Sequence, residues 1–330
     1  MNLPLNAGEK FAMIAVDGSS EIKEVIDLKD GFFALPGGGF KLPAHWREWI
    51  GTIESEQIEN RTGLLLLAKC ASDRPDVLDA ENQRLQRRSQ WLYWGLLASG
   101  RHWVEGAAIQ LTGAYAGNEV SVRQKGRMLP VLTLRAMQPS RVQEHDLRRA
   151  ASLARKLGEL LARPGVRRAQ RALRTFWAGL GETDLGERIH QFVRVVSDGF
   201  AKARGRADFQ VRSAAFVGTD ANETLRQLYL MRNNAEHFNE PDLGLEPVLP
   251  VRESLERAYK RALQAEALAR HCVARFVENP DLWQHFANED KVDALWTHPQ
   301  EELARLWGAP LDLDAAVAAF RPEGVQDEGV

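Results

Sequence analysis

The stretch DANETLRQLYLMRNNAEH, residues 220–237, decides how the second half of this chain folds. Its apolar residues recur every three or four positions, which predicts one helix with a buried side. Asp220 and Glu223 are spaced as an N-terminal capping pair, so we expect the helix to begin there. The apolar residues at helical spacing are Leu225, Leu228 and Tyr229. The stretch therefore favours a helical bundle around it.

Arg232 and His237 stand near the end of this predicted helix. An imidazole titrates near neutral pH and can exchange protons with a ribose hydroxyl. A guanidinium holds a phosphate through its planar fork and stabilises the charge that grows on it. Asn233, directly after the arginine, is a further polar candidate. These residue types suit a ribonuclease that works without a metal.

Helix geometry limits what these side chains can do together. At about 100° per residue, Arg232 and His237 lie about 140° apart around the helix axis. Arg232 instead shares a face with Glu236, and Asn233 shares a face with His237. A working site would need the helix end to unwind, or a second copy of the helix. A homodimer with two-fold symmetry supplies that second copy most simply.

Composition bounds the class of protein. The 330 residues are enough for two ordinary domains, and a net charge of −2 gives no overall basic field. Cys70 and Cys272 are far apart, which speaks against a disulfide framework or a metal ribbon. The first residues do not have the pattern of a signal peptide, and the apolar run Leu64–Ala68 is too short to span a bilayer. We expect a cytoplasmic protein with no membrane contact, no metal and no cofactor.

The pattern of residues changes near position 140. Residues 1–142 predict a mixed α/β module of unknown type. The run Leu64–Lys69 suits a strand, although its apolar composition also suits a buried helix. The other predicted elements are strands at Phe11–Val16 and Glu24–Leu28, a helix at Ala80–Ala98, a hairpin turning at 116–118, and a short strand between Pro130 and Pro139.

After residue 142 the pattern is almost wholly helical. Residues 143–290 predict a helical bundle, and residues 291–330 predict a helical extension with a loose tail. Asp184 and Glu187 form a capping box for one of these helices. The predicted helices are Gln143–Arg163, Val166–Leu180, Asp184–Phe200, Phe209–Phe216, 220–237 and Val251–Glu278. The fold class predicted for the whole chain is α+β.

Arg167, Arg171 and Arg174 recur at spacings of four and three, which places them on one face of a helix. Such a face can follow an RNA backbone through its phosphates. An ordinary solvated helix face has the same pattern. Together with the Arg232 and His237 motif, these arginines become candidate RNA-binding residues.

Three segments, taken in order, resemble HEPN domains of the ApeA-like group. They are the run ERIHQFVR at 187–194, the run FQVR at 209–212, and the run from Leu228 to His237. The resemblance covers about residues 170 to 280. It implies an all-α bundle that dimerises and cleaves RNA without a metal, at a site composed of two R-x(4–6)-H motifs.

The resemblance also implies roles for the residues that match the motif. Arg232 and His237 would be the catalytic pair, with Asn233 beside them, and the product would end in a 2′,3′-cyclic phosphate. The implied function is RNA cleavage in phage defence or stress response, with residues 1–142 sensing a ligand or protein trigger. The alternative is a non-catalytic module for dimerisation or binding, in which Arg232 pairs with Glu236 and His237 only caps the helix end.

Overall fold

A computed structural model describes residues 3–38, 40–116 and 119–325 of the chain. Two compact units divide it. The sheet unit comprises Met1–Thr133 and Pro139–Gly158, and the helical unit comprises Leu134–Gln138 and Glu159–Val330. An antiparallel sheet in the first and helices in the second make the fold class α+β, as predicted.

The sheet has six strands in the order β2-β3-β4-β1-β5-β6, all antiparallel to their neighbours. The strands are β1 Glu9–Asp17, β2 Ile26–Asp27, β3 Phe32–Pro36, β4 Thr62–Ala71, β5 Gly106–Ala116 and β6 Glu119–Val131. Met13 of β1 pairs with Leu67 of β4 on one side and Leu111 of β5 on the other. The run Leu64–Lys69 is therefore a central strand and not a helix.

Helices cover the sheet and complete its core. They are α1 Ala44–Ile50, α2 Thr52–Glu56 and α3 Ala80–Ser99. Asp79 caps α3 by accepting from the backbone N–H of Glu81, and Leu85, Leu92 and Leu96 of α3 are buried. The predicted hairpin is present as β5 and β6, but its turn at 117–118 lies outside the described residues.

The helix α4 comprises Glu144–Ala162. Its residues up to Gly158 belong to the sheet unit. A Cβ on Gly95 would lie 2.4 Å from the carbonyl oxygen of Ala150, so α3 and α4 approach closely. A Cβ on Gly158 would lie 2.7 Å from the ring of Trp91. This close packing is why the compact units divide the chain within α4, whereas the sequence predicted a division at residue 142.

The helical unit contains most of the predicted helices at nearly their predicted bounds. They are α5 Arg167–Gly179, α6 Leu185–Arg194, α7 Arg206–Val217, α8 Asn222–Glu236, α9 Val251–Glu278, α10 Pro280–Trp283, α11 Glu289–Leu295 and α12 Gln300–Trp307. Asp184 accepts a hydrogen bond from the backbone N–H of Glu187, as predicted, but the backbone N–H of Asp184 donates to Glu182, so only half of the predicted capping box is present. Trp307 of α12 is fully buried against Phe216 and Phe276, so α12 packs into the core of this unit.

A π-helical turn, Val195–Phe200, continues α6. The backbone N–H of Ala201 donates to the carbonyl of Val196 at 2.7 Å, five residues back. Such turns insert an extra residue into a helix and redirect its side chains. The sequence predicted a single regular helix through Phe200, since helical spacing of apolar residues does not distinguish a π turn from an α turn.

Two local predictions were wrong. The chain between Pro130 and Pro139 forms no separate strand, because β6 ends at Val131 and Ala136 is buried against helical residues such as Leu263. The helix α8 begins at Asn222, and no side chain caps it. The carboxylate of Glu223 instead accepts hydrogen bonds from Arg226 and Gln227, so it does not complete a box with Asp220.

Candidate functional site

Arg232 lies on α8 between two carboxylates. Its Nη1 lies 2.7 Å from the carboxylate of Glu236, and its Nη2 lies 3.6 Å from Oδ2 of Asp198. The guanidinium also stands 5.7 Å from the ring centre of Tyr229, and its side chain is 15% exposed. The pairing with Glu236 that helix spacing predicted is therefore confirmed, and Arg232 is held in place by the protein itself.

His237 lies at the C-terminal end of α8 and is exposed. Its backbone N–H donates to the carbonyls of Asn233 and Asn234, both at 3.1 Å. Among the described residues, no side chain contacts its imidazole through a hydrogen bond or ion pair. Phe238 follows with a left-handed φ of 57° and is 95% exposed. The imidazole is thus accessible to a ligand or to a second protein chain.

Within one chain, no hydrogen bond or ion pair joins the side chains of Arg232 and His237, and the contacts of Arg232 are with other residues. Asn233 accepts a hydrogen bond from Nη1 of Arg232 at 2.9 Å, so it contacts the arginine. The arginine end of the motif is therefore a connected cluster of side chains, and the histidine stands apart from it.

Asn234 was missed by sequence reasoning. Its buried side-chain amide donates to the carbonyl oxygens of Pro241 at 3.0 Å and Leu243 at 2.8 Å. These bonds fix the course of the chain after α8. Asn234 therefore stabilises the segment that presents His237, although an asparagine inside the motif gave no sequence signal for that role.

A pocket of about 350 Å³ lies at the start of α5. The π-helical turn and the segment that leads into α11 form its other sides. Four arginines line it: Arg167, Arg168, Arg171 and Arg194. Arg167 and Arg171 are two of the three predicted RNA-binding residues. The third, Arg174, is exposed on the same helix but does not line the pocket.

Two of the four arginines are paired with carboxylates that also line the pocket. The guanidinium of Arg168 donates to Glu289, with Nε 3.1 Å from Oε1, and also to the backbone carbonyl of Asp198. Nε of Arg194 lies 3.5 Å from Oδ2 of Asp198. The hydrogen bond from Arg168, with a second from Lys202, holds the pKa of Glu289 below its usual value against the effect of burial.

The other two arginines carry the surplus charge of the pocket. Arg167 and Arg171 are exposed, and neither forms an ion pair within the described part of the chain. Four guanidinium groups and two carboxylates leave a net charge of two positive units in the lining. Such a pocket attracts an anion, because its excess charge has only water as a partner.

Local sequence explains how the pocket is formed. A Cβ on Gly199 would lie 2.5 Å from the Cβ of Ala172, so only glycine lets the π-helical turn approach α5 this closely. Gly165 adopts a φ of +91°, which favours glycine, just before α5 begins. No side chain caps α5, and no acidic residue stands in its first turn. The positive end of the α5 dipole therefore adds to the charge of the arginines.

Asp198 connects the pocket to the motif on α8. Its Oδ2 lies 3.5 Å from Arg194 and 3.6 Å from Arg232, and its Oδ1 accepts a hydrogen bond from Ser197 at 2.8 Å. Sequence reasoning missed both Asp198 and Arg194. Their spacing of four residues could have suggested an ion pair, but nothing in the sequence shows that the pair faces α5.

Within residues 3–38, 40–116 and 119–325, no group of three or more His, Cys, Asp or Glu side chains is arranged to hold a metal ion. Over the same ranges, every helix is too short or too polar to cross a membrane.

No family model, curated protein or solved structure matches this chain. The resemblance to HEPN domains therefore rests only on the residues quoted above.

Proposed function

We propose that the helical unit is a HEPN-type bundle and acts as a metal-independent endoribonuclease, with a site composed from two copies of the chain. The observation that carries the proposal is the shared carboxylate of Asp198. It places the guanidinium of Arg232 next to an arginine-lined pocket that attracts phosphate. A candidate catalytic arginine and a candidate RNA-binding surface therefore belong to one region.

In this proposal the exposed imidazole of His237 exchanges a proton with a ribose 2′-hydroxyl or with the leaving 5′-oxygen. Arg232 holds the scissile phosphate, exchanging its bonds to Glu236 and Asp198 for bonds to phosphate oxygens. The products are a 2′,3′-cyclic phosphate and a 5′-hydroxyl. RNA is required because DNA lacks the attacking hydroxyl.

The separation of Arg232 and His237 within one chain is the reason for invoking a second copy. A homodimer can present His237 of one chain to Arg232 of the other. The sheet unit would then sense a ligand or protein trigger, and the role would be in phage defence or stress response.

A second candidate function is a binding module without catalysis. Arg232 is only 15% exposed and already has Glu236, Asp198 and Asn233 as partners. In that case the arginine-lined pocket binds RNA, and the motif on α8 only stabilises the helical unit.

The test is cleavage of labelled tRNA and mRNA in EDTA by the whole protein and by His237→Ala. We expect the substitution to lower the rate by about 100-fold or more, the usual effect of removing a general acid or base. His145→Ala is the matched control, since His145 is an exposed histidine of the sheet unit. Unchanged cleavage by His237→Ala contradicts the proposal. RNA binding without cleavage by the wild-type protein favours the second candidate.

Mixing two inactive variants tests the composite site. Arg232→Ala and His237→Ala, each inactive alone, should recover part of the cleavage when combined. A mixed dimer retains one intact arginine facing one intact histidine. A mixture as inactive as its components, although mass measurements show mixed dimers, argues against a site shared between two copies.

A further inference from the structure

The arginine-lined pocket has features that point to a narrower ligand class than RNA backbone in general. We infer that it binds a phosphate monoester, the dianionic phosphate at the end of a nucleotide or of an RNA strand. The inference rests on the proposed function only if the ligand is the end of an RNA strand. A free nucleotide would bind the same arginines whether or not the protein cleaves RNA.

Charge is the first argument. The lining has a surplus of two positive units, carried by Arg167 and Arg171. A phosphate monoester bears about −1.5 to −2 charges at neutral pH, whereas a phosphodiester bears about one. The monoester therefore neutralises the surplus, and an internal phosphodiester leaves about half of it without a partner.

The arrangement of the arginines is the second argument. A surface that follows an RNA backbone would use Arg167, Arg171 and Arg174 as a row along α5. The pocket instead combines Arg167 and Arg171 with Arg194, which belongs to a different helix, and leaves Arg174 outside. The lining therefore comes from two elements around one concave site, with Arg194 already paired to Asp198, and it does not form a line along a strand.

The shape of the pocket is the third argument. Buried Ala172, Gly199 and Phe286 form its inner wall, and the exposed arginines stand nearer to solvent. A volume of about 350 Å³ is at the small end of the range for ligand pockets. It suits one phosphate with its attached sugar. The start of α5 lies at the pocket without a side-chain cap, and its dipole favours an anion there.

The experiment measures binding to the whole protein with 2′-O-methyl oligonucleotides, which have no 2′-hydroxyl and cannot be cleaved by the proposed route. Strands of one sequence carry an internal fluorophore and end in a 5′-phosphate, a 3′-phosphate or hydroxyls only. We expect a strand with a terminal phosphate to bind about tenfold more tightly, which corresponds to about 1.4 kcal/mol. AMP serves as a competitor and as a ligand on its own.

Variants locate the effect. Arg167→Ala and Arg171→Ala should reduce the preference for a terminal phosphate to less than about twofold. Arg174→Ala is the matched control from the same helix and should keep the full preference. Arg167 and Arg171 are exposed, so the substitutions should leave the fold intact, and circular dichroism and urea unfolding verify this.

The outcomes separate the sources of the ligand. Saturable binding of AMP that is lost in Arg171→Ala identifies a free nucleotide as a ligand. A preference for phosphorylated strands with no competition from AMP identifies the RNA end.

The inference is overturned by equal affinity for all strands without AMP binding, or by a preference that survives in both Arg167→Ala and Arg171→Ala. No step of this experiment requires cleavage. The binding result can therefore be interpreted even if the ribonuclease proposal fails, and the cleavage result can be interpreted even if this inference fails.

Discussion

Two arginine clusters in the helical unit differ in how their charge is balanced. In the buried cluster, Glu266 stands between Arg188 at 2.9 Å and Arg270 at 2.6 Å. Arg188 also donates to the backbone carbonyl of Glu182 at 3.1 Å and contacts the ring of Phe192. In the pocket, by contrast, Arg167 and Arg171 have no carboxylate partner among the described residues.

The difference shows where a ligand can bind. A charge in a protein interior must be satisfied by the protein, because the cost of removing it from water is large. Arg188 and Glu266 are only 1% and 3% exposed, so their cluster links α6 to α9 and leaves no room for a ligand. At the pocket, the arginines that carry the surplus charge are exposed to solvent and accessible to an anion. Of the two clusters, only the pocket is suited to binding.

The largest effect is expected at the buried cluster. Glu266→Gln removes the negative charge that lies 2.9 Å from Arg188 and 2.6 Å from Arg270, two largely buried guanidinium groups. Burial already lowers the pKa of Arg270, and the carboxylate of Glu266 opposes that shift. We expect a loss of about 3–5 kcal/mol in the free energy of unfolding, measured by urea denaturation.

The control for this prediction is on the same helix. Glu256 pairs with the exposed Arg252 at 3.2 Å, so Glu256→Gln should cost less than about 1 kcal/mol. If the two variants unfold at the same urea concentration, the buried cluster does not stabilise the fold more than an exposed ion pair does, and the prediction is wrong.

An intermediate effect is expected at Asp198. Asp198→Asn removes a negative charge that lies between Arg194 and Arg232, so Arg194 becomes available to phosphate, while Arg232 keeps its ion pair with Glu236. We expect RNA to bind about threefold to tenfold more tightly at low salt, with a steeper decrease as salt rises. Fluorescence anisotropy at several salt concentrations measures this. Glu253→Gln removes one exposed negative charge from α9 and serves as the control, with little change expected. Weaker binding by Asp198→Asn would mean that the carboxylate positions the arginines and does not screen them.

The smallest effect is expected at Glu289 and depends on pH. Hydrogen bonds from Arg168 and Lys202 lower its pKa from the ordinary 4.5, so its ionised form stabilises the folded state. That contribution is present above about pH 4.5 and is lost as the pH falls through the lowered pKa. Since the side chain is 58% exposed, Glu289→Gln should cost less than about 1 kcal/mol at pH 7.

Urea unfolding at pH 7 and at about pH 3 measures the change. The difference in stability between wild type and Glu289→Gln should shrink at the lower pH. A difference that grows with acidity would show that the carboxylate is not stabilised in its ionised form.

Much of the fold was predictable because its elements depend on local patterns. The bounds of α9 and the cap of α6 at Asp184 follow from spacing and capping chemistry. The pairing of Arg232 with Glu236 follows from helix geometry alone. The capping pair at Asp220 was wrong because nearby Arg226 and Gln227 bind Glu223 instead, and spacing alone does not rank such competing partners.

The candidate site was predictable only in part. Arg167 and Arg171 were identified as one basic helix face, but the pattern gave Arg174 the same weight. The resemblance directed attention to Arg232 and His237 and gave no sign that Asp198 would contact Arg232. Whether an exposed arginine faces a pocket depends on how a neighbouring helix packs against its own helix. The residues next to the arginine in the sequence do not show this.

The sequence by itself determined the α+β class, most helix bounds and the faces on which charges lie, because these depend on residues within a few turns of each other. Tertiary structure alone decided that Gly199 lets a π-helical turn meet α5, that Asp198 joins Arg194 to Arg232, and that Arg188 is buried with Glu266. These contacts join residues far apart in the chain, and their formation depends on how whole helices pack.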